Sequence, residues 1–582
     1  MLYISNKELA DILLEMAALY EMQEVEFKPR AYERAALGVL ALDKPLWESY
    51  QEKGAEALTG ISGVGKTIAS HIEELLTSGR FREYDQMKKQ TPVKLGELVA
   101  VEGVGPRTVK VLWDKLKIKN LAELEKAAQA GKIRELEGFG EKSEAKILKG
   151  IEFLKESGSR RLLGYILLEA QALEKALGRF PEVKNAVAGG SIRRRKETIG
   201  DIDILVVSRR PEATMAKVIK LPEVEYVYGQ GKTKTSLRLK SGVDLDVRAV
   251  PEESFGAALN YFTGSKDHNV ALRELALKNG WKLNEYGLFR GEKMIAGKTE
   301  EEIYEKLGLR YIEPELRENK GELEAARENK LPKLIGYKDL RGDLQMHTNW
   351  TDGKNTIAEM AEAAQKLGHD YIAITDHAQS LAMTGGLDEK QLREQGREID
   401  KLNEKFKAEG STFRILKGVE VNIMKDGTLD LDNEALAELD IVGAAVHSYF
   451  DLSRETQTQR LIKVMKNPQV DIIFHPSGRI LNRRKAIELD WDKVIAAAKE
   501  TETVLEIDAW PDRLDLNDGQ IRKCVEAGVK MVIDTDAHSP DQLHFLEFGI
   551  AQARRGWAEK KDVLNTFPLE KLLSGLKNYE KV

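Results

Sequence analysis

Cysteine is almost absent from the chain: its 582 residues include only Cys524, which excludes an internal disulfide. Long apolar runs are also missing, and the N-terminus lacks the charged and then apolar pattern of a secretory signal. We therefore expect a cytoplasmic protein without a membrane partner. The hydrophobic fraction of 42% is sufficient for ordinary buried cores, and the length predicts several domains.

Neither sign of charge dominates, since 90 Lys+Arg stand against 96 Asp+Glu and give a net charge of −6. A mildly acidic chain can still bind nucleic acid, because a local basic surface is enough. Histidine is scarce as well, with nine residues, and seven of these follow residue 336. Their concentration in one part of the chain indicates a specialised site there.

Three similar segments occur in residues 1–155, which are predicted to be mainly helical. They are "LTGISGVGKTIASHIEELL" (58–76), "LVAVEGVGPRTVKVLWDKL" (98–116) and "IRELEGFGEKSEAKILKGI" (133–151). Each places two glycines, two residues apart, before an amphipathic helix, so that a phosphate can approach the turn and the first helical amides. One copy would equally suit a tight turn between helices, but three copies favour helix-hairpin-helix binding to the DNA backbone. The candidate DNA-binding residues are Gly63, Gly65, Gly103, Gly105, Gly138 and Gly140, with a monovalent cation as a candidate ligand.

Paired carboxylates mark the segment "AGGSIRRRKETIGDIDILVV" (188–207). Asp201 and Asp203 lie two residues apart on a predicted strand and therefore share one face. A second strand, "GVDLDVRAV", offers Asp244 and Asp246 as a third acid. Clustered carboxylates repel one another unless cations lie between them, and hard oxygen ligands suit Mg²⁺ or Mn²⁺. A strand end with solvated acids is the alternative, which the preceding Gly-Ser pair disfavours.

These motifs, together with "YFTGS" and "LNEYGLF", resemble the nucleotidyltransferase superfamily and, within it, the family X DNA polymerases. The resemblance covers about residues 1–315. It implies that Asp201, Asp203 and Asp246 bind two metal ions, with Asp246 selected over Asp244 by its spacing to Arg248. Asp246 is then the implied base toward the primer hydroxyl.

The same resemblance implies further contacts with the nucleotide and the template. Gly190, Ser191 and Arg194 match positions that hold the incoming triphosphate. A second set lines the rest of the site: Tyr261, Phe262 and Gly264 beside the sugar, Asn269 at the minor-groove edge of the base, and Arg273 at the template.

One feature of some family members is missing from the N-terminal region. Those members remove a 5′-deoxyribose phosphate through a lysine Schiff base, which requires a primary amine. His71 occupies the matching position, and Lys66 is predicted to lie on another face of the helix. We therefore do not expect the lyase activity, although Lys28 remains a candidate contact for the 5′-phosphate of a gap.

The histidines after residue 336 lie beside acids at the ends of predicted strands, which alternate with helices as in a parallel barrel or sheet. The motifs "QMHTNWTDG", "ITDHA", "GVEV", "AVHS", "FHPSGR" and "DTDAH" resemble those of the PHP (polymerase and histidinol phosphatase) domain over about 336–575. The resemblance implies up to three ions of Mn²⁺, Zn²⁺ or Fe. The positions carried over are His347, Asp352, His377, Glu420, His447, His475, Asp536 and His538.

Gln345 departs from this pattern, because the family has His-x-His where this chain has Gln345 and His347. An amide oxygen is a weaker ligand than imidazole, so we expect two ions to bind well and one poorly. Two interpretations stay open. Either nuclease activity survives in a reduced or metal-selective form, or the barrel is kept mainly as a DNA-handling scaffold.

The sequence as a whole predicts a multidomain DNA repair polymerase, active in short gaps as in base excision repair, with a Mn²⁺-dependent 3′→5′ exonuclease. We expect a monomer that acts on gapped or primer-template DNA and deoxynucleoside triphosphates. A transferase with another acceptor and a non-catalytic binder of DNA ends are the competing classes. The predicted segments are a helical DNA-binding domain (1–80), a fingers-like helical domain (81–157), an α/β nucleotidyltransferase palm (158–260), a thumb (261–315), a linker (316–335) and a distorted β/α PHP barrel (336–582).

Overall fold

The computed structural model describes residues 4, 6–25, 27–40, 42, 46–61, 63–101, 103–157, 160–380 and 384–577. Contacts between residues divide the chain into two compact units. One comprises Met1–Ser159 with Asn482–Arg484, and the other comprises Arg160–Leu481 with Lys485–Val582. Within the described ranges, none of the helices combines the length and apolar character needed to cross a bilayer.

The first unit is helical, as its glycine-punctuated amphipathic pattern predicts. Its apolar faces meet in one core that includes Leu13, Leu76, Leu98 and Leu112. Its described helices are α1 (Asn6–Met22), α2 (Lys28–Leu40), α3 (Leu46–Lys53), α4 (Ala55–Thr59), α5 (Lys66–Ser78), α6 (Arg82–Gln90), α7 (Leu95–Val99), α8 (Pro106–Leu116), α9 (Leu121–Gln129) and α10 (Glu141–Ser157).

The second unit begins with a mixed α/β region around a five-stranded sheet. Its elements are β1 (Arg161–Leu162), α11 (Leu163–Gly178), β2 (Val183–Ala188), α12 (Gly190–Arg193), β3 (Thr198–Ile199), β4 (Asp201–Ser208), α13 (Pro211–Val218), β5 (Val224–Gln230), β6 (Lys234–Leu239) and β7 (Asp244–Val250). The sheet has the order β2-β4-β7-β6-β5, with β4 and β7 parallel at its centre. This central pair carries the acidic motifs.

A smaller subregion and a connector follow the five-stranded sheet. The elements are a 3-10 turn (Glu252–Ser254), α14 (Phe255–Thr263), α15 (Lys266–Lys278), β8 (Lys282–Asn284), β9 (Gly287–Arg290), β10 (Lys293–Ala296), α16 (Glu300–Lys306), a second 3-10 turn (Pro314–Leu316) and α17 (Glu322–Arg327). The connector is packed rather than extended, because Arg317, Glu322 and Leu323 are buried.

The C-terminal region is a parallel barrel of seven strands in chain order. Its strands are β11 (Gly342–Asp343), β12 (Tyr371–Ile374), β13 (Arg414–Asn422), β14 (Ile441–Ala445), β15 (Ile472–Ile473), β16 (Val504–Asp508) and β17 (Met531–Asp534). The first and last strands close on each other, since the His347 amide donates to Ala537 and the Leu344 amide donates to Asp534. The predicted fold class, with its helical region, palm, thumb and barrel, is confirmed.

Helices cover the outside of this barrel. They are α18 (Ile357–Lys366), α19 (Glu389–Ala408), α20 (Asn433–Leu436), α21 (Arg454–Met465), α22 (Trp491–Glu500), α23 (Asp518–Ala527), α24 (Leu546–Arg555) and α25 (Leu569–Leu573), with 3-10 turns at Pro540–Phe545, Lys560–Asp562 and Leu564–Thr566. The strands are buried on both faces and read as continuous apolar runs, which is typical of a parallel sheet covered by helices.

Candidate functional site

The acids of the palm sheet lie side by side on one face. The parallel register pairs Asp203 with Asp246 and Asp201 with Asp244, so all four side chains project from the same surface. A cavity of about 450 Å³ opens there and is lined by Asp201, Asp244 and Asp246. The structure therefore brings the three predicted metal ligands to one face.

Mutual repulsion shapes the electrostatics of these acids. Burial, followed by the charges of Asp201 and Asp246, raises the pKa of Asp203 to about 7. Asp246 is balanced by Lys234, whose Nζ lies 2.6 Å from its Oδ2. Within the described ranges, these carboxylates do not form a group with all donor atoms within 4.8 Å of one another. Three hard-oxygen donors with unfavourable charge density fit divalent cations, which would relieve the repulsion.

The turn at Gly189–Ser191 packs directly against these acids. The Gly189 amide donates to the backbone carbonyl of Asp203 at 2.8 Å. Gly190 adopts a φ of 57°, and a Cβ at this position would lie 2.5 Å from Asp203 Oδ2. Glycine is therefore required both by the left-handed backbone and by the approach of the carboxylate. Ser191 follows this turn as the second residue of α12.

Two arginines at the end of α12 make different contacts. Arg193 forms a bidentate pair with buried Glu300, with Nη2 to Oε2 at 2.6 Å. Arg194 donates through Nε to Glu318 at 3.0 Å and through Nη1 to the carbonyl of Thr263 at 2.5 Å. The arginine that sequence comparison assigns to the triphosphate is thus held by a carboxylate in this structure.

The aromatic pair after the palm lies beside the acidic face. The rings of Tyr261 and Phe262 meet edge to face, with centroids 5.1 Å apart. The Arg248 guanidinium stacks over Phe262 at 4.6 Å, which is a cation–π contact. Arg248 belongs to β7, two residues after Asp246, so the aromatic pair is fixed to the strand that carries this acid.

The turn that follows this pair is equally constrained. Asn269 donates through Nδ2 to the Tyr261 carbonyl at 2.6 Å. A Cβ at Gly264 would lie 2.6 Å from the Asn269 Oδ1 atom, so the two residues interlock. Arg273, one helical turn further, is exposed and donates to the Asn269 carbonyl at 3.3 Å.

In the helical unit, the first glycine of each of the three turns adopts the same left-handed backbone angle. The first glycine of each pair has a positive φ of 80°, 84° or 81° at Gly63, Gly103 and Gly138. The second glycine directly precedes α5, α8 or α10. Repetition of the same turn before a helix N-terminus is the geometry that presents amides to a phosphate.

His71 is built into a hydrogen-bonded cluster in this unit. Its Nδ1 lies 2.6 Å from the Tyr32 hydroxyl, and its Nε2 lies 3.3 Å from Glu83. Lys28 approaches the same carboxylate at 3.6 Å and stacks on Tyr20. A carboxylate therefore occupies the surroundings of both His71 and Lys28, while Lys66 is exposed.

In the barrel, the predicted metal ligands converge at the carboxyl ends of the strands. His347, His377, His447 and His475 follow β11, β12, β14 and β15, and Glu420 lies within β13. Asp352 follows β11 as well, while Asp536 and His538 follow β17. Parallel strands in a closed barrel direct these ends to one rim, so residues far apart in sequence share one site.

Glu420 is the centre of this cluster. It is buried, and its Oε1 lies 2.8 Å from His475 Nε2 and 3.3 Å from His447 Nε2. Its Oε2 lies 3.0 Å from His377 Nδ1 and 3.5 Å from His347 Nε2. One carboxylate facing four imidazoles is well placed to bridge two cations.

Two sets of donor atoms could each hold an ion, since all atoms in a set lie within 4.8 Å of one another. They are His347, Asp352, His377 and His538 in one set, and His377, Glu420 and His447 in the other. Both His347 nitrogens are buried, and Nε2 lies 3.0 Å from Asp536 Oδ1, so this imidazole faces the carboxylates that would share a metal with it. The residues present therefore fit a multinuclear centre.

Charge in this cluster is strongly perturbed. Burial alone would lower the pKa of His377, but the Glu420 and Asp352 carboxylates raise it well above its ordinary value. Burial, with a contribution from Arg513, lowers the pKa of His475 to about 4. Carboxylates that attract protons onto neighbouring imidazoles would attract a divalent cation in the same way.

Comparisons with known proteins agree with this geometry. Family models match as a helix-hairpin-helix domain (4–81), a SAM-like helix-hairpin-helix tandem (95–152), a DNA polymerase beta thumb (258–318) and a PHP domain (343–531). The chain is 38% identical to the DNA polymerase/3′-5′ exonuclease PolX of Bacillus subtilis, covering 97% of this chain and 98% of that protein. The chain belongs to the family X DNA polymerases with a PHP domain.

Other relatives of this family X polymerase match only parts of it. DNA polymerase lambda of Rattus norvegicus is 28% identical over 53% of this chain and 56% of that protein. A probable phosphatase of Thermoanaerobacter sp. is 35% identical over 36% of this chain and 84% of that protein. The prediction of an enzyme of this family is confirmed.

Gln345 of this polymerase is fully buried at the barrel rim. With its amide nitrogen toward Glu506, it donates to both carboxylate oxygens, with 3.1 Å to Oε2. Burial and the neighbouring Asp508 and Asp534 raise the pKa of Glu506 well above its ordinary value.

Three contributors to these sites were not predicted from the sequence. Lys234 balances Asp246, and Arg513 lies 3.7 Å from Asp536 and 3.5 Å from Asp508 through its Nε. Trp510 joins them, with its ring centroid 5.7 Å from that of His538. Arg513 and Trp510 could have been found in the segment "IDAWPDRLD", which begins at the end of β16. No ligand had been assigned to the end of that strand.

Proposed function

We propose that this polymerase extends the 3′ end of a primer in short DNA gaps and degrades 3′ ends through its PHP barrel. The observation that carries the first activity is the register of β4 and β7, which places Asp203 beside Asp246 on the face that includes Asp201. The second activity, degradation of 3′ ends, is supported by the eight candidate ligands of the barrel, with Glu420 at their centre. The family resemblance supports both.

In the polymerase site, Asp201, Asp203 and Asp246 would hold Mg²⁺ or Mn²⁺. These ions would supply activation of the 3′-hydroxyl and stabilisation of the charge that develops on the pyrophosphate. Asp246 accepts the proton of the primer hydroxyl. Lys234, whose Nζ lies 2.6 Å from Asp246 Oδ2 in this structure, helps to orient that carboxylate.

The other palm and thumb residues bind and orient the nucleotide. Gly190, Ser191 and Arg194 hold the triphosphate. Tyr261 and Phe262 line the sugar and exclude a 2′-hydroxyl, supported by the Arg248 stack that fixes their position. Three further assignments complete this set: Gly264 in the same turn, Asn269 at the base and Arg273 at the template.

In the barrel, up to three ions of Mn²⁺, Zn²⁺ or Fe would be held by eight residues: His347, Asp352, His377, Glu420, His447, His475, Asp536 and His538. The ions would supply an activated water for phosphoester hydrolysis. We propose that Gln345 weakens one ion site, since its amide is paired with Glu506. The same pairing favours the second candidate function, a barrel that mainly handles DNA.

We assign binding of the DNA backbone to the six glycines of the helix-hairpin-helix turns. We also propose that the protein is a cytoplasmic monomer.

A gapped duplex, incubated with Mg²⁺ or Mn²⁺ and with or without nucleotides, tests both activities at once. We expect extension with nucleotides and degradation from the 3′ end without them. Asp201→Ala should abolish extension and leave degradation intact, whereas His447→Ala should do the reverse. Extension by Asp201→Ala at the wild-type rate would refute the polymerase site, and degradation by His447→Ala at the wild-type rate would refute the assignment of degradation to the barrel ligands. Absence of degradation by the wild type would support the scaffold.

A further inference from the structure

Arg194 is held by residues that lie outside the palm sheet. Its Nε donates to Glu318 Oε1 at 3.0 Å, and its Nη1 donates to the Thr263 carbonyl at 2.5 Å. Glu318 belongs to the connector that leads to the barrel. Because both contacts restrict a long side chain, the guanidinium is fixed before a nucleotide binds.

Glu318 is in turn held by the barrel. Arg555, the last residue of α24, is almost fully buried, and its Nη1 lies 3.1 Å from Glu318 Oε1. The same nitrogen donates to the backbone carbonyl of Arg194 at 2.8 Å. The Nη2 atom of Arg555 donates to Asp518, at the start of α23, at 2.6 Å. A continuous chain of contacts therefore runs from Asp518 through Arg555 and Glu318 to Arg194.

Positive and negative side chains alternate along this chain. Burial alone would raise the pKa of Glu318, but the guanidinium groups of Arg555 and Arg194 lower it. The charged carboxylate is shared by two arginines, and Arg555 is also paired with Asp518. Glu318 therefore neutralises Arg194 only in part. Removing Arg555 would leave Glu318 to neutralise Arg194 alone, and would also release the backbone carbonyl of Arg194.

We propose that Arg555 of the PHP barrel is a positioning residue for nucleotide binding in the polymerase site. It acts through Glu318 and the Arg194 carbonyl and does not touch the nucleotide itself. This inference rests on the proposed function, in which Arg194 binds the triphosphate. Its consequence is that an intact barrel raises the affinity of the palm for nucleotides, whatever the barrel hydrolyses.

Arg554 provides a matched control in the same helix. Its Nε donates to Glu315 at 2.8 Å and its Nη1 donates to the Ile335 carbonyl at 2.9 Å. It therefore also joins the barrel to the connector through a mostly buried ion pair. Among its described contacts, none involves Arg194 or Glu318. Loss of general packing at this junction should thus affect both arginines, and loss of positioning should affect only Arg555.

The test is single-nucleotide incorporation on a gapped duplex by the full chain, with KM and kcat measured separately. For Arg555→Met we expect the KM for the nucleotide to rise about tenfold, with kcat changed less than about twofold. Arg554→Met should leave KM unchanged. Arg555→Lys should restore part of the loss, because lysine keeps the charge but cannot form the forked contacts.

An unchanged KM in Arg555→Met, or an equal rise in Arg554→Met, would overturn the inference. If thermal melting shows that Arg555→Met does not fold, the KM of Arg555→Lys is the test. A wild-type KM in Arg555→Lys would then overturn the inference. Arg194→Met separates this result from the proposed function. A wild-type KM in Arg194→Met means that the triphosphate assignment is wrong, whereas a raised KM there with no effect at Arg555 refutes only the positioning role.

Discussion

The palm site and the barrel site both gather carboxylates, but they balance the negative charge differently. In the palm, Asp246 is balanced by Lys234, and the raised pKa of Asp203 favours a bound proton. In the barrel, Glu420 is surrounded by imidazoles at 2.8–3.5 Å. Neighbouring strands of an open sheet hold side chains side by side, whereas a closed barrel directs strand ends toward one axis.

This difference indicates how each site is completed. Among the described residues, the palm aspartates lie side by side without forming a compact set of donor atoms, so a bound nucleotide would have to complete their ion sites. The barrel donors already form two compact sets that share His377, and Glu420 of the second set lies 3.5 Å from His347 of the first. Substitution of a palm aspartate should therefore reduce primer extension without lowering the amount of metal bound to the protein. Substitution of a barrel ligand should lower both 3′-end degradation and the amount of bound metal.

The largest expected effect is loss of nucleotide incorporation in Asp246→Asn, by about ten thousandfold. The amide keeps the shape of the side chain but cannot accept the proton of the primer hydroxyl. Asp244→Asn is the matched control, since this acid lies on the same strand and face and pairs with Arg238. Primer extension measures both, and a greater loss in Asp244→Asn would show that the wrong acid was chosen.

Glu420→Gln should reduce 3′-end degradation about a thousandfold, because a neutral amide cannot bridge two cations. Metal bound per chain, measured after dialysis, should fall in parallel, while primer extension should stay at the wild-type level. Glu438→Gln, at an exposed ion pair with Arg393, serves as the control. Retention of full metal content by Glu420→Gln would contradict the central role of this carboxylate.

Glu300 sharpens the comparison, because this buried carboxylate is balanced by arginines instead of ions. Burial alone would raise its pKa, but Arg317 and Arg193 lower it from 4.5 to about 2. A depressed pKa stabilises the fold above pH 4.5, and this contribution of about 3 kcal/mol is lost as the pH falls through 2.

In urea denaturation, Glu300→Gln should therefore lower the free energy of unfolding at pH 7, and should lower it less below pH 4.5. Exposed Glu301→Gln should have no effect on stability at either pH. Chelation of metal ions should not alter the difference between Glu300→Gln and the wild type. A difference that depended on metal would place Glu300 among the metal ligands.

The smallest expected effect is a gain in the barrel. Gln345→His should raise 3′-end degradation about tenfold and increase the metal content, since imidazole is the better ligand. Gln345→Leu, which has a similar volume and no donor atom, should not produce this gain. Unchanged degradation and metal content in Gln345→His would favour the scaffold interpretation.

Most of the fold could be predicted from local patterns. The apolar runs that predicted β12 to β17 each form the expected strand, and the three glycine pairs each precede a helix. The spacing in "DIDILVV" and "GVDLDVRAV" placed acids on shared faces, because side chains alternate along a strand. Which acid of one strand faces which acid of the other depended on the register, which no single segment specifies.

Periodicity and glycine turns in the sequence determined the order of elements and the shared faces of the acids, because these signals act over a few neighbouring residues. The resemblance of the motifs to known families supplied the family and the candidate ligands. Only the tertiary structure decided that Gln345 pairs with Glu506, that Lys234 balances Asp246, and that Arg555 reaches Arg194 through Glu318. These contacts join side chains separated by up to several hundred residues. They depend on how sheet, connector and barrel pack, and no local pattern contains that information.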